Sequence, residues 1–436
     1  MKNQTIKILR RLGITFCGII VILIVLGVWV YRETEPVKIP AYVPGEYEKK
    51  MIAQVSDSNG IKYYLQGMLA FDTMSFRMKR GESPKEGPTE LIRGILEEGW
   101  RKDNPRIEEI LDKNKKAIEF IRKGAKKDYA EFPKVEKPDL SPPTPNLLTV
   151  QQMAKVLIVE GKLNEYKKKY PQAVENYLAA IKFGQAFGGE NAVLRSKLIS
   201  ISVESLGYKA LKDFLKNNPN KGEKFYSNLL SQLDKIRKNE KSMKSVIALE
   251  FQSEHNGVEK EPRTGMFAII APSNSWYAIK IGMYFLFRKG TVLKNMDDFH
   301  KEFLYTLNKP YAEYKDINWD KRIQKLDIIN RIFAPNYTFE YFRSLVILNQ
   351  SWLTELGTAI QLYQSQKGHY PDSLDDLSLS ILKDIPKDPF TDKLFVYHKT
   401  DKGFELYSPG PDMMDDNGTL IYDPTNGTIS AGDIVW

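Results

Sequence analysis

Residues 359–371 read AIQLYQSQKGHYP, and they open the part of the chain that says most about its fold. Three short stretches follow them: IPKDPF at 385–390, LYSPGPD at 406–412 and GDIVW at 432–436. Glycine and proline recur at the ends of these stretches, where they commonly end helices and strands and form turns. The order of elements in this region can therefore be predicted from the sequence.

A helix is predicted to end within the first stretch. Gly368 suits the C-terminus of a helix, and Pro371 lies just beyond it. A helical stripe of apolar side chains precedes this glycine, formed by Trp352, Leu353, Leu356, Ile360 and Leu362. A short helix is then predicted after Ser373, which can cap it, with Asp376 reaching back to the first turn.

A β-hairpin is predicted next. Pro386 and Pro389 bracket a turn. Residues 394–397 (LFVY) and 404–407 (FELY) then alternate in strand fashion around Lys402 and Gly403. The order is thus helix, turn and short antiparallel sheet.

This succession resembles the C-terminal domain of the major pseudopilins of type II secretion, over residues 350–436. In that family a helix ends at a G-x-Y-P turn, a P-x-D-P turn precedes a hairpin, and a G-x-D loop binds calcium. The resemblance implies a small pseudopilin-like α+β domain with an antiparallel sheet, which we place at 346–436. It also implies a structural calcium ion.

The chain after Tyr407 is acidic and has neither Lys nor Arg. Calcium takes about six to eight oxygen ligands from carboxylates and carbonyls. The resemblance implies a set of ligands in this loop: the carboxylates of Asp412 and Asp433, that of Asp415 or Asp416, and the carbonyls of Pro409 and Met414.

A second interpretation of the same loop stays open. Residues 416–418 read DNG and residues 426–427 read NG, and both are ordinary sequences for tight turns. The loop is then either a calcium site or a set of turns without a metal.

Residues 12–31 form an uncharged apolar run, preceded by Lys2, Lys7, Arg10 and Arg11. At about 1.5 Å per residue, such a run crosses the hydrocarbon core of a bilayer. We therefore predict an uncleaved signal anchor within 1–36. The corresponding localisation is the cytoplasmic membrane, with a single span, a cytoplasmic N-terminus and the bulk of the chain outside. The glutamate of the pilin processing site is missing after Gly13, which argues against assembly into a filament.

The middle of the chain, 37–345, is predicted to be an α-helical domain of hairpin or solenoid type. It contains a proline-rich loop at 133–145. Residues 150–166 and 171–187 predict a helical hairpin, which is either weakly tetratricopeptide-like or an ordinary helix pair. Residues 266–287 are rich in aromatic and aliphatic side chains, and predict a core helix, a groove that faces a partner or lipid, or a second membrane span.

Several functional classes find little support in the sequence. The formal charge is +9, but four of the cations precede the apolar run, so nucleic-acid binding is not expected. The four histidines lie in no zinc-binding pattern, and no nucleophile elbow or phosphate loop is present. We identify no catalytic residue, and the sequence does not indicate whether a small-molecule ligand is bound.

The predicted fold is mainly α: an N-terminal membrane-spanning helix, a helical middle domain and the small C-terminal domain. The expected function is that of a membrane-anchored structural or interaction protein, associated with secretion or cell-envelope assembly and contacting other proteins. One alternative is a cell-envelope hydrolase with an acidic site in the helical domain. Another is a divergent pseudopilin or pilus subunit.

Overall fold

The computed structural model of the chain describes residues 45–134, 144–189, 192–262, 276–334, 337–378, 381–423 and 430–436. In these residues the fold is mainly helical, with one small antiparallel sheet near the C-terminus. The helices are, in chain order, α1 Glu46–Gln54, α2 Gly60–Ala70, the 3₁₀-helix Thr73–Phe76, α3 Pro88–Glu98, α4 Pro105–Lys113, α5 Lys115–Ala125, α6 Leu147–Tyr166, α7 Tyr170–Phe187, α8 Leu194–Asn217, α9 Glu223–Lys238, α10 Met243–Lys260, α11 Trp276–Thr306, α12 Tyr311–Tyr314, α13 Trp319–Gln324, α14 Asn330–Phe333, α15 Tyr337–Lys367 and α16 Asp375–Ser378. The strands are β1 Val396–Thr400, β2 Gly403–Ser408 and β3 Ile434–Val435.

The predicted fold class is corrected in one respect. Among the described residues, no helix is both long enough and apolar enough to cross a membrane. The longest helices, α11 and α15, have 31 residues each, but charged side chains recur along both of them. The anchor was predicted at 12–31, which lies outside the described residues. The predicted membrane localisation is corrected on the same finding, because no described helix supports it.

Two other predicted segments fall mostly outside the described residues. They are the proline-rich loop at 133–145 and the first part of the aromatic segment at 266–287. The later residues of that segment belong to α11, where Ile281 and Phe285 are buried.

The helical hairpin predicted in the middle of the chain is confirmed by α6 and α7. Small residues let the two helices approach each other closely. Ala173 and Ala180 are fully buried, and a side chain at Gly161 would clash with the ring of Tyr177. The hydroxyl of Tyr177 donates a hydrogen bond to Glu165 at 2.9 Å, which ties α7 to the end of α6.

The chain divides into two compact units. The larger comprises residues 43–251, 303–317 and 336–436. In it, α8 packs against α6 and α7, and the long helix α15 packs against α8, α9 and the sheet. The boundary predicted between 345 and 346 falls inside α15. This helix therefore belongs both to the C-terminal module, residues 346–436, and to the packed helices α1–α9, which we call the helical layer.

The other unit includes residues 252–302 and 318–335. Its core contains Phe285, Val292 and Met296 of α11 together with Ile329. Asn330 at the start of α14 donates a hydrogen bond from Nδ2 to the carbonyl of Val292 at 2.9 Å. Helix α14 is thereby fastened to α11.

The C-terminal elements predicted from the sequence are confirmed in type and order, although β1 begins at Val396 and runs to Thr400, beyond the predicted 394–397. Helix α15 is followed by Gly368, whose φ is +80°, a conformation that favours glycine. The carboxylate of Asp376 accepts hydrogen bonds from the backbone N–H groups of Asp372 and Ser373, at 2.8 and 3.0 Å. Strands β1 and β2 form the hairpin, and β3 pairs antiparallel with β2 on its other side.

Candidate functional site

The acidic loop, residues 409–433, connects β2 to β3 and carries all of the predicted calcium ligands. Its two ends meet closely. Gly410 has φ of +72°, and a Cβ atom there would clash with the carbonyl oxygen of Gly432. Glycine is therefore required at 410 both by the backbone conformation and by the lack of space.

Asp433 is the last residue of the loop and is fully buried. Its Oδ2 accepts a hydrogen bond from the N–H of Gly418 at 2.7 Å, and its Oδ1 accepts one from the N–H of Asp416 at 3.4 Å. Its backbone N–H donates to the carbonyl of Leu420 at 2.7 Å. Burial raises the pKa of Asp433, and the hydrogen bonds from Gly418 and Asp416 oppose this rise. Asp433 therefore holds residues 416–420, in the middle of the loop, against the end of the loop.

Asp412 joins the beginning of the loop to its end. Its Oδ1 accepts a hydrogen bond from the N–H of Met414 at 3.0 Å, and its Oδ2 accepts one from the N–H of Gly432 at 3.3 Å. The neighbouring carbonyl of Pro411 accepts a hydrogen bond from the hydroxyl of Tyr311 at 3.0 Å. The start of the loop is thus attached to Tyr311, which lies outside the C-terminal domain of 346–436 that the sequence predicts.

Asp415 faces the sheet. Its Oδ1 accepts hydrogen bonds from the hydroxyl of Tyr407 at 3.0 Å and from the N–H of Asn417 at 2.8 Å. Burial first, and then the contact with Asp415, raises the pKa of Tyr407 to about 12. Tyrosine is ordinarily neutral at physiological pH, so this rise leaves Tyr407 as a neutral hydrogen-bond donor to Asp415.

The turn predicted at 416–418 is confirmed. The carbonyl of Asp416 accepts hydrogen bonds from the N–H of Thr419 at 3.2 Å and from its hydroxyl at 2.6 Å. The two central residues, Asn417 and Gly418, have φ of +58° and +68°. Positive φ at both positions is the geometry of a type I′ turn, which asparagine and glycine favour. The turn predicted at 426–427 lies outside the described residues.

The remaining predicted ligands are the carbonyls of Pro409 and Met414. Pro409 is partly buried at the end of β2, whereas the Met414 side chain is 66% exposed. The structure brings Asp433 near Asp415 and Asp416, and places Asp412 against the end of the loop. Across the described ranges, no group of three or more His, Cys, Asp or Glu side chains is arranged to hold a metal ion. The calcium site stays a prediction.

The sequence predicts the turn at 386–389 but gives no sign that its aspartate is the centre of a buried network. Asp388, in the P-x-D-P turn, is fully buried and accepts four hydrogen bonds at 3.0 Å. The donors are Asn349 of α15, the N–H of Phe390, and the hydroxyls of Thr391 and Ser408. Ser408 in turn accepts from the N–H of Gly410 at 3.0 Å. Asp388 thus connects α15, β2 and the acidic loop.

A second group of acids lies in the helical layer, far along the chain from this loop. Lys197 is almost fully buried, and its Nζ lies 2.5 Å from Oε1 of Glu240. Glu240 also accepts a hydrogen bond from Gln185 at 2.7 Å, and it lies close enough for its charge to act on Glu204. Glu204 is fully buried and accepts a hydrogen bond from Ser200 at 2.6 Å.

The carboxyl groups of Glu204 and Glu240 differ in charge. Burial first, and then the charge of Glu240, raises the pKa of Glu204 well above its usual value. Burial opposes a low pKa at Glu240 too, but the charge of Lys197 lowers it. We therefore assign the proton to Glu204 and the negative charge to Glu240, which pairs with Lys197. No local motif in the sequence predicts the grouping of Lys197, Glu204 and Glu240.

The last residues of the chain fix the C-terminal module to the helical layer. The ring of Trp436 lies against Gly357 of α15, and its backbone N–H donates to the carbonyl of Leu406 at 2.8 Å. Lys212 of α8 donates a hydrogen bond from Nζ to the carbonyl of Val435 at 3.0 Å. The module is held by contacts from α8 and α15, which lie in the same compact unit.

Comparison with known proteins does not assign this arrangement to a family. No family model, no curated protein and no solved structure matches the chain.

Proposed function

We propose that this chain is a structural interaction protein, in which the helical layer holds the C-terminal module and the acidic loop meets a protein partner. The observation that carries the proposal is the attachment of β3, through Trp436 on Gly357 and through the hydrogen bond from Lys212 to Val435. A module fixed in this way presents its loop in one orientation, and this reduces the entropy lost on binding.

The surface of the acidic loop supports a role in recognition. Three large apolar side chains are exposed on it: Met414 (66%), Leu420 (48%) and Ile421 (65%). The carboxylates of Asp415 and Asp416 lie on the same loop. Exposed apolar side chains beside acids suit a partner whose surface combines apolar and basic side chains.

The resemblance of residues 350–436 to the major pseudopilins suggests the class of partner. In this proposal the partner is a pseudopilin of a secretion system. The hydrolase alternative receives less support, because Glu204, the protonated member of the carboxyl pair, is fully buried and out of reach of a substrate.

Direct binding measurements test this proposal. The purified chain would be immobilised and titrated with the globular domains of the pseudopilins encoded in the same genome. We expect saturable binding that is weakened at least about tenfold by the double substitution Met414→Ser and Ile421→Ser. Leu394→Ser, which changes another exposed apolar residue of the module, serves as the matched control and should bind as the wild type does. Absence of saturable binding, or an equal loss in the control, would contradict the proposal.

A further inference from the structure

A cavity of about 840 Å³ lies in the helical layer, away from the C-terminal module. It is bounded by the end of α5 and the segment after it, by α7 and by α9. We call it the Lys182 cavity, after the half-buried lysine of α7 that lines it. Its volume is in the range of sites that hold small molecules.

The lining of the Lys182 cavity is strongly basic. Seven of its lining residues are Lys or Arg, and three are Asp or Glu. Four of the cations already have a carboxylate partner: Lys126 with Glu175, Lys241 with Glu131, Lys238 with Asp234, and Arg122 with Glu160. The positive charge that is left over can attract an anion.

Three of the lining cations are left over, Lys127, Lys182 and Lys235, and the last two lie close enough for their charges to interact. Lys182 donates a hydrogen bond from Nζ to the carbonyl of Ala125 at 3.1 Å, and Lys235 of α9 lies near it. Within the described part of the chain, neither lysine forms an ion pair with a carboxylate. Burial, and then the charge of Lys235, lowers the pKa of Lys182. Two cations that repel each other across a cavity are stabilised when an anion lies between them.

Part of the cavity lining is apolar, and we call this part the apolar floor. It consists of Leu178 of α7 and Leu229 and Ile236 of α9, each almost completely buried. Amide side chains also line the cavity, among them Gln232 and Asn239. A ligand that matches this lining has an anionic group at one end and an apolar part beside it.

We propose that the Lys182 cavity binds a small organic anion. Its phosphate or carboxylate group lies between Lys182 and Lys235, and its apolar part lies on Leu178, Leu229 and Ile236. The charged group receives charge-assisted hydrogen bonds from both lysines, while burial of the apolar part adds affinity. This site is independent of the acidic loop and of the function proposed for it.

Calorimetric titration of the full chain with a set of simple probes tests the proposal. The probes are inorganic phosphate, phenyl phosphate and benzoate, with benzyl alcohol as the uncharged counterpart. We expect phenyl phosphate or benzoate to bind with one-to-one stoichiometry, at least about tenfold tighter than benzyl alcohol, and more weakly at high salt. Comparison of phosphate with phenyl phosphate measures the contribution of the apolar floor, and comparison of phenyl phosphate with benzoate distinguishes the two anionic groups.

Substitutions locate the binding. Lys182→Met and Lys235→Gln should each weaken binding of the tighter anion about tenfold or more. Lys224→Gln, at an exposed lysine of α9 outside the cavity, is the matched control and should leave the affinity unchanged. Lys235 is exposed, so its replacement does not threaten folding. The proposal is overturned if neither anion binds saturably, or if Lys235→Gln binds as tightly as Lys224→Gln.

Discussion

The indole ring of Trp436 lies against Gly357 so closely that a Cβ atom at position 357 would be 2.5 Å from it. The side chain of Trp436 therefore has room on α15 only because residue 357 is glycine. The same indole stacks on Phe404 of β2, with ring centroids 6.4 Å apart. This close contact, together with the hydrogen bond from Asn349 of α15 to Asp388, sets the position of the sheet on the long helix.

Replacing this glycine should loosen the C-terminal module. We expect Gly357→Ala to lower the free energy of unfolding by about 1–3 kcal/mol, because an added methyl group overfills a buried contact. This loss should outweigh the better helix propensity of alanine. Urea titration followed by tryptophan fluorescence measures it. Gly94→Ala is the matched control: Gly94 lies in α3 with open space around its Cβ position, so this change should stabilise by up to about 1 kcal/mol. An equal gain in both variants would contradict the close contact.

Removing the carboxylate of Asp388 should be severely destabilising. In Asp388→Ala the donors from Asn349, Phe390, Thr391 and Ser408 all lose their acceptor. We expect a loss of about 3 kcal/mol or more in the free energy of unfolding, because buried donors without partners are costly. Denaturant unfolding of the variant measures it. Asp384→Ala, at an exposed aspartate just before the turn, should change stability by less than about 0.5 kcal/mol. Equal stability of the two variants would show that Asp388 is not the centre of this network.

The carboxyl pair in the helical layer should make stability depend on pH. The folded chain holds the proton on Glu204, whose pKa is raised from 4.5, whereas the unfolded chain releases it near that value. The stability that Glu204 contributes is therefore complete below pH 4.5 and is lost as the pH rises toward its folded pKa. The expected slope from this group is at most about 1.4 kcal/mol per pH unit.

The substitution Glu204→Gln isolates this slope, because an amide replaces the protonated carboxyl group without a titrating proton. We expect the variant to be more stable than the wild type at about pH 8, with the difference shrinking as the pH falls toward 5. Urea unfolding at several pH values measures this difference. Glu119→Gln, at an exposed glutamate of α5, is the control, and its free energy of unfolding should depend on pH as that of the wild type does. A constant difference between Glu204→Gln and the wild type would show that Glu204 is ionised in the folded chain.

The stability of the acidic loop should depend on Asp433 whether or not calcium is present. Asp433→Ala leaves the N–H groups of Gly418 and Asp416 without their acceptor, so we expect the free energy of unfolding to fall by about 1–3 kcal/mol. Thermal unfolding of wild type and variant, each with a chelator and with added calcium, measures both effects. We expect the loss to be similar in the two conditions. If calcium raised the melting temperature of the wild type but not of Asp433→Ala, the calcium site predicted from the sequence would be supported instead.

Local sequence determined the elements that depend on a few neighbouring residues. Apolar spacing and Gly368 predicted the end of α15, and alternation around Lys402 and Gly403 predicted the hairpin. Small residues between 150 and 187 likewise predicted the pair α6 and α7. In each case the signal lies within one or two turns of chain, where backbone propensity and side-chain period act directly.

The prediction of a membrane-spanning helix is corrected by the described helices. Composition predicted it at 12–31, outside the described residues, and none of the helices that the structure describes supports a span. Acids of the C-terminal loop were correctly placed in one loop, because they are close together in the sequence. The hydrogen bonds that each of them accepts could not be predicted, since those depend on how the loop folds back on β2 and β3.

The sequence by itself determined the order of long helix, short helix and hairpin near the C-terminus and the acidic character of the loop that follows them. Tertiary structure alone decided that β3 joins β2, that Trp436 lies on Gly357, and that Asp388 binds Asn349 and Ser408. It also decided that Lys182 and Lys235 face one cavity. These contacts join residues that are tens of positions apart, and their energies come from burial and from charge at short range. Both depend on the packed fold and leave no periodic signal in the chain.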